Sequence, residues 1–301
     1  MEQLVECVPN FSEGRRKEII EAIVKAIAEG GKVWILDVES DEDHNRSVVT
    51  FVGEPEAVEE AAFRAIKKAA ELIDMDQHRG QHPRIGATDV VPFVPLRGVT
   101  MGECVAVARR LGERVGRELG IPVYLYGEAA TRPERQDLAY IRRGEYEGLK
   151  KTIATDPDRT PDFGPAVLGK AGATAIGARP PLIAFNVYLN TDDVRIAREI
   201  AKSVRHSSGG LRYVKALGLL VKGKAQISMN LTDYRQTPIH RVMELIRREA
   251  ARYGLTVVSS EVVGLIPEDA LLDAAIYYLQ LDGFSKEQIL EKKLEKLRYG
   301  G

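Results

Sequence analysis

The feature that most constrains the fold of this chain is an order of strands and helices that occurs twice. Helices are predicted at residues 15–28 and 194–204, each with apolar residues spaced three and four apart on one face. Ile19 and Ile196 hold the same position in the two helices, an offset of 177 residues that the other apolar positions and the preceding strand also follow. In each half, the helix and its neighbours give the order β-α-β-β-α-β, a split βαβ unit.

We therefore predict an α+β protein of two tandem ferredoxin-like (βαββαβ) subdomains, residues 1–178 and 179–301. The first half has predicted strands at 4–8, 33–38, 47–52, 90–94 and 123–126, and helices at 15–28, 56–72 and 101–119. The second has strands at 182–188, 213–220, 225–231 and 256–263, and helices at 194–204, 238–253 and 285–297. Ser12 is the expected N-cap of the first helix. Residues 155–181 are rich in Pro, Gly and Asp and are predicted to be a connecting loop.

Composition narrows the class of protein. The 301 residues carry 43 basic and 44 acidic side chains, a formal net charge of -1, so we expect no nucleic acid and no membrane surface as a partner. Cys7 and Cys104 fall in apolar segments and are expected to be reduced thiols. Residues 1–8 do not resemble a signal peptide, and no apolar stretch is long enough to span a bilayer. A cytoplasmic protein is the expectation.

A short loop is the best candidate for chemistry. Two of the five histidines, His78 and His82, lie close together ahead of an apolar strand. Gly80 and Pro83 oppose a helix at this point, and loops on a rigid scaffold are where reactive side chains are often placed. Two histidines four residues apart can bind zinc when they share a helix face, so the loop argues against that, and we expect no metal.

Several motifs resemble those of the formiminotransferase family, the transferase portion of formimidoyltransferase-cyclodeaminase. The resemblance extends from about residue 2 to residue 280, which leaves no room for a cyclodeaminase domain, so a stand-alone transferase is expected. The matching motifs are Cys7-Val8-Pro9-Asn10-Phe11-Ser12-Glu13-Gly14, Asn45-Arg46, His82-Pro83-Arg84-Ile85-Gly86-Ala87-Thr88-Asp89-Val90, Tyr124-Leu125-Tyr126-Gly127-Glu128-Ala129, Gly172-Ala173-Thr174 and Gly177-Ala178-Arg179.

The resemblance implies an activity and a set of partners. The formimidoyl group of N-formimidoyl-L-glutamate would pass to N5 of tetrahydrofolate, the co-substrate, and release L-glutamate at the end of histidine degradation. It also implies folate between two ferredoxin-like subdomains, and a homodimer. The family's catalytic histidine falls on His82. Its folate-binding stretch, about one residue shorter here than the vertebrate pattern, falls on Gly164, Pro165, Ala166, Val167, Leu168, Gly169, Lys170, Ala171 and Gly172.

The chemistry of this transfer suits the residues around His82. N5 must lose a proton as it attacks the amidine carbon, and the departing nitrogen must gain one, so a group that titrates near neutral pH can serve as general base and then general acid. Arg46 and Arg84 are candidates to bind a substrate carboxylate, although Arg46 could instead pair with the acidic segment at 39–43. Asp89 could orient His82 or face the pterin. Asn10 could bind the amidine or simply cap a turn after Pro9.

Residues 164–171 also come close to a phosphate-binding P-loop. Ala171 replaces the Ser or Thr that would bind magnesium, and the preceding residues are not a strand, so nucleotide binding is not expected. We instead expect Lys170 to attract the anionic glutamyl tail of a polyglutamyl folate.

Two alternative functions remain open from the sequence. A formyl group differs from a formimidoyl group only by O against NH, so transfer between glutamate and 5-formyltetrahydrofolate would fit the same pocket. Tandem ferredoxin-like units also occur in non-catalytic modules that bind amino acids or folate, and fold alone would permit that function. Such a module would show no turnover.

Overall fold

The computed structural model describes residues 3–80 and 83–299, and it shows an α+β chain of two compact units, one ending at Pro180 and one beginning at Pro181. Strands of the first unit are β1 (Leu4–Cys7), β2 (Asn10–Phe11), β3 (Val33–Asp41), β4 (Arg46–Gly53), β5 (Thr88–Arg97), β6 (Val123–Gly127) and β7 (Thr174–Ala178). Its helices are α1 (Lys17–Ala28), α2 (Pro55–Leu72), α3 (Met101–Leu119), α4 (Leu138–Ile141) and α5 (Glu145–Thr152). No helix in the described ranges is both long and apolar enough to cross a membrane.

One mixed sheet forms the first unit. β1 and β2 are two parts of one path interrupted by Val8 and Pro9, and both pair between β4 and β5. β3 pairs with the outer side of β4, so the antiparallel part has the order β3-β4-β1/β2-β5. β7 then lies between β5 and β6 and is parallel to both. The sheet thus joins a strand from the end of the unit to strands that precede it by many residues.

The core of the first unit lies between this sheet and its helices. α1 buries Ile19, Ile20, Ile23 and Ile27, the face that its spacing predicts. These side chains belong to one cluster with Phe51 of β4 and Phe93 of β5, both fully buried. Burial of a large apolar side chain contributes about 1.5–3 kcal/mol, so this cluster fixes the rigid sheet that carries the site.

The second unit is a smaller antiparallel sheet with helices. Its strands are β8 (Ile183–Leu189), β9 (Val214–Val221), β10 (Lys224–Leu231) and β11 (Val257–Val263), in the sheet order β11-β8-β10-β9. Its helices are α6 (Val194–Val204), α7 (Ile239–Ala251), α8 (Glu268–Leu279) and α9 (Leu290–Tyr299). Relative to the order along the chain, β9-β10-β8-β11 repeats the β3-β4-β1/β2-β5 arrangement of the first unit.

Several sequence predictions need correction. The segment 155–181 is not a loop throughout, since it contains a 3-10 turn at Pro157–Arg159 and strand β7. β3 continues into the acidic segment, as far as Asp41, because its last residues pair with the start of β4. The sequence prediction also lacked α4, α5 and α8. The C-terminal helix begins at Leu290, after a 3-10 turn that carries the expected Ser285–Gln288 capping box.

The prediction that Ser12 caps α1 is wrong. α1 begins at Lys17, and its N-cap Arg16 makes no side-chain cap hydrogen bond. The Glu13 carboxylate instead accepts the N–H groups of Arg15 and Arg16, at 2.9 and 3.0 Å. The Ser12 hydroxyl donates to the Gly86 carbonyl, 2.7 Å away, so this serine holds the segment after the histidines rather than the helix.

Candidate active site

Three of the predicted substrate-binding residues line one small pocket. Arg46, Arg84 and Asp89 reach it from β4, from the loop before β5 and from β5. Its other lining residues are Phe11, Ser12, His44, Asn45 and His78. His44 was not singled out from the sequence. The fold therefore brings together residues that lie up to 78 positions apart in the chain.

The predicted catalytic residue, His82, lies outside the described residues. The chain on its N-terminal side is anchored at Gly80, where an added Cβ would lie 2.2 Å from the His44 carbonyl oxygen. Asn45 also fixes this segment, because its side-chain amide donates to the Arg79 carbonyl at 2.9 Å. On the other side, Arg84 is buried. The loop is thus held at both ends next to the pocket.

His78 is a buried, hydrogen-bonded residue. Its Nε2 lies 2.9 Å from the Asn45 carbonyl oxygen, and its Nδ1 lies 3.2 Å from Nε of Arg84. Since a carbonyl only accepts and a guanidinium only donates, the ring must carry its proton on Nε2 and accept on Nδ1. Burial lowers its pKa below the ordinary value, and the Arg84 charge acts in the same direction. His78 is therefore a neutral structural histidine rather than a solvated one.

The guanidinium of Arg84 is occupied by acidic side chains of the chain itself. It donates to Glu147 through two nitrogens, at 2.7 and 2.8 Å, and to Glu145 at 2.8 Å. The Glu147 carboxylate raises the pKa of Arg84, and Arg84 lowers the pKa of Glu147 to about 2. With His78 on its Nε, this arginine has bonds in all three directions and ties the histidine loop to the start of α5.

Asp89 is also paired within the protein. One carboxylate oxygen accepts the Ile85 N–H at 2.9 Å, and the other accepts from the guanidinium of Arg142. Asp89 is 2% exposed, so both of its oxygens serve buried contacts. In this arrangement it shapes the turn into β5 and positions Arg142.

Arg46 differs from both of these residues. Its side chain makes no hydrogen bond or salt bridge within residues 3–80 and 83–299, although it lines the pocket beside Asp89. Burial lowers its pKa, and the nearby positive charge of Arg142 adds to the effect. Asn10, on β2, uses its amide nitrogen to donate to the Val8 carbonyl at 3.1 Å, which is the local turn contact considered from the sequence.

The predicted folate-binding stretch is fixed at its ends and joined to the histidine segment. Gly164 and Gly172 have positive φ angles of 81° and 70°, and an added Cβ would lie 2.5 Å from the Ile121 carbonyl oxygen and 2.3 Å from that of Ile85. Only glycine fits such close approaches with this backbone. The stretch accepts the N–H groups of Met75 and Ala87, through the carbonyls of Lys170 and Ala171, both at 2.8 Å.

The middle of this stretch is open. Val167 is 64% exposed, whereas Leu168 is buried. The ammonium of Lys170 lies 3.5 Å from the Asp74 carboxylate, but 78% of its side chain remains exposed. This exposed lysine is free to meet an anion from solution. No group of three or more potential metal ligands occurs in the described part of the chain.

Arg142, Glu145 and Glu147 were missed from the sequence. They lie on α5 and on the turn before it, in a charged segment with no strong apolar periodicity. Their partners Asp89 and Arg84 lie 53 to 63 residues earlier, so no local signal identifies the pairs.

Family models match almost the whole chain. The model of the formiminotransferase domain, N-terminal subdomain, matches residues 4–179, and the model of the formiminotransferase domain matches residues 184–298. The chain belongs to the formiminotransferase family. Within this family, the glutamate formimidoyltransferase of Thermoplasma acidophilum is 59% identical over 297 residues, which cover 97% of this chain and 98% of that protein.

Two further relatives in the formiminotransferase family set its range. The glutamate formimidoyltransferase of Streptococcus pyogenes is 48% identical and covers 98% of this chain and 99% of its own length. The formimidoyltransferase-cyclodeaminase of Mus musculus is also 48% identical, over 92% of this chain but only 53% of that protein. The similarity is thus end to end with the first two proteins and partial with the third.

Proposed function

We propose that this formiminotransferase-family protein is a glutamate formimidoyltransferase. It transfers the formimidoyl group of N-formimidoyl-L-glutamate to N5 of tetrahydrofolate and yields 5-formimidoyltetrahydrofolate and L-glutamate. The observation that carries the proposal is the end-to-end identity of 59% and 48% with two proteins of that name. The same names favour formimidoyl transfer over formyl transfer and over a non-catalytic module.

In the proposed reaction, tetrahydrofolate supplies the nucleophile and glutamate is the leaving group. A bond forms between N5 and the amidine carbon, and the bond between that carbon and the glutamate nitrogen breaks. One proton leaves N5 and one reaches the glutamate nitrogen, so the transfer needs no oxidant or reductant. We assign both proton transfers to His82, as general base and then general acid.

Contacts of the neighbouring residues support this assignment. The loop that carries His82 lies between the buried His78 and Arg84, which hold it against the pocket. Residues 164–172, proposed to bind folate, bond to Ala87 of the same segment. These backbone bonds give a route by which folate and the histidine are placed close together. The His78 ring has both nitrogens engaged, which leaves the proton transfers to His82.

We also propose that each unit is a ferredoxin-like subdomain, with the boundary close to residue 178, and that the protein is a cytoplasmic homodimer active in histidine degradation. The strand order β11-β8-β10-β9 supports the first part, since it is the order of a split βαβ unit. Sedimentation equilibrium tests the dimer, and a mass of one chain at micromolar concentration would refute it.

The test is an absorbance assay on the full chain. Tetrahydrofolate and N-formimidoyl-L-glutamate are mixed with protein and then acidified, which converts the product to the strongly absorbing 5,10-methenyltetrahydrofolate. The wild type should give this product, and His82→Ala should lose about 10²- to 10⁴-fold in rate. His206→Ala, an exposed histidine of the second unit, is the matched control and should keep wild-type activity.

Each other outcome overturns part of the proposal. Product with N-formyl-L-glutamate but not with the formimidoyl donor would make the protein a formyltransferase. Folate binding without turnover of either donor would indicate a binding module. Full turnover by His82→Ala would remove that residue from the mechanism.

A further inference from the structure

The pocket holds an arginine that no motif in the sequence pointed to. We propose that Arg142, together with Arg46, binds the α-carboxylate of the glutamate donor. This inference rests on the proposed function, and it adds a substrate-specificity residue to it.

Arg142 is placed by the fold rather than by the local sequence. It follows the last residue of α4, and its backbone N–H donates to the Leu138 carbonyl at 3.0 Å. Its guanidinium donates to Asp89, on β5. The side chain is 17% exposed, and within residues 3–80 and 83–299 its Nε is a buried donor without an acceptor. A buried donor without a partner costs free energy unless a ligand completes it.

Arg46 supplies the second cation. It reaches the pocket from β4, it lines the pocket with Asp89, and it makes no salt bridge within the described residues. Asp89 lies close enough to both arginines to act electrostatically on Arg46 while it bonds Arg142. Two guanidinium groups therefore share the charge of one buried carboxylate.

This balance favours a second anion. Two positive groups and one negative group leave a net positive charge at the pocket, which a single carboxylate would neutralise. The planar guanidinium presents its donors as a fork that matches the two oxygens of a carboxylate. Arg84 cannot offer the same, because Glu145 and Glu147 already occupy its fork.

The chemistry of the two substrates decides which carboxylate fits. In the donor, the α-carboxylate is attached to the carbon that bears the reacting nitrogen, so it stays close to the site of transfer. In folate, the glutamyl carboxylates lie beyond the aminobenzoyl group, far from N5. A carboxylate site beside Asp89, seven residues after His82, therefore suits the donor.

The experiment measures kinetic constants for each substrate separately. Arg142→Met should raise KM for N-formimidoyl-L-glutamate at least about tenfold, the effect of losing a charge-assisted hydrogen bond. The KM for tetrahydrofolate should change less than twofold. Arg142→Lys should recover part of the loss, because it keeps the charge without the fork. Arg143→Met is the matched control, since Arg143 is exposed and stacks on Tyr140, and it should leave both constants unchanged.

A second donor identifies the carboxylate. N-formimidoyl-4-aminobutyrate keeps the γ-carboxylate of the natural donor and lacks the α-carboxylate. The wild type should use it poorly, and Arg142→Met should use it as well as the wild type does. A further equal loss with this donor would assign Arg142 to another group, and a raised KM for tetrahydrofolate would assign it to the folate tail; either result overturns the proposal.

Binding of L-glutamate separates this inference from the proposed function. Calorimetric titration of the wild type and Arg142→Met with L-glutamate needs no turnover. Weaker binding to the variant alone, with an unchanged melting temperature, supports the carboxylate site even if the wild type transfers nothing to folate. Equal binding to both proteins refutes it even if the transfer reaction is observed.

Discussion

Arg84 and Arg46 were predicted for the same task and occupy the same pocket, but their surroundings differ. Arg84 is bonded by Glu145, Glu147 and His78, whereas Arg46 has no salt bridge within the described residues. The difference shows that an arginine beside a reactive loop is available to a substrate only if the fold leaves its donors unused. Arg84 has become part of the scaffold, and Arg46 remains a candidate ligand.

The contrast predicts first a large loss of activity at Arg46. Arg46→Met should lower kcat/KM for N-formimidoyl-L-glutamate about 10- to 100-fold, because one charge-assisted bond to the donor is lost. Since Arg46 has no ion pair to break, the free energy of unfolding should change by less than about 1 kcal/mol. Steady-state kinetics and urea unfolding measure the two effects. An unchanged KM for the donor would end the contrast with Arg84.

At Arg84 we expect the loss to fall on stability. Arg84→Met removes the bonds that tie the loop to α5 and leaves the buried His78 ring without its donor. The free energy of unfolding should fall by about 1–2 kcal/mol, a moderate value because Glu145 and Glu147 are 42% and 53% exposed and can be solvated. Urea unfolding against Arg84→Lys checks this. A stable variant with a tenfold higher donor KM would instead place Arg84 among the ligands.

His78 should give the scaffold side of the comparison a pH dependence. Because burial lowers the pKa of the folded state below the ordinary 6.5, the unfolded chain takes up the proton first as pH falls. Stability is therefore complete above pH 6.5 and decreases below it, by up to about 1 kcal/mol at pH 5.5.

Unfolding at pH 7.5 and 5.5 tests this dependence of stability on His78. The decrease should be smaller in His78→Gln than in the wild type. His206→Gln, an exposed control, should keep the wild-type decrease. Equal decreases in all three proteins would contradict the neutral, buried state of His78.

The smallest expected effect is at Lys170. Its exposed ammonium should attract the glutamyl tail of folate, so Lys170→Ala should weaken binding of polyglutamyl folate about two- to fivefold at low salt and less at high salt. Lys67→Ala, an exposed lysine of α2, is the control. Fluorescence titration at two salt concentrations measures it, and equal losses at both would exclude the electrostatic role.

Elements with a strong apolar period were predictable from the sequence, and others were not. α1 and α6 begin 177 residues apart, at Lys17 and Val194, because their apolar spacing marks the buried face directly. β7 has no such mark. Its five residues are all buried and mostly small, and they follow a segment rich in Pro and Gly, so only their pairing between β5 and β6 makes them a strand.

For the candidate site, the sequence identified residues but not their partners. Asp89 and Arg84 stood out near His82, yet the role of each depends on a charged side chain 53 to 63 residues away. Charged residues on a helix of low apolar content are ordinarily solvated, and Arg142 had no feature to distinguish it. Which of them reach a pocket is decided by the tertiary path of α4 and α5.

The central position of β7 has a consequence for how the chain is made. β5 and β6 leave the ribosome before β7, but each of them pairs with β7 on one side and has no partner there until residues 174–178 emerge. Since domains fold as units during synthesis, we expect the first sheet to close only after nearly 180 residues have been translated. Loop 164–172 is therefore among the last parts of the unit to take its place.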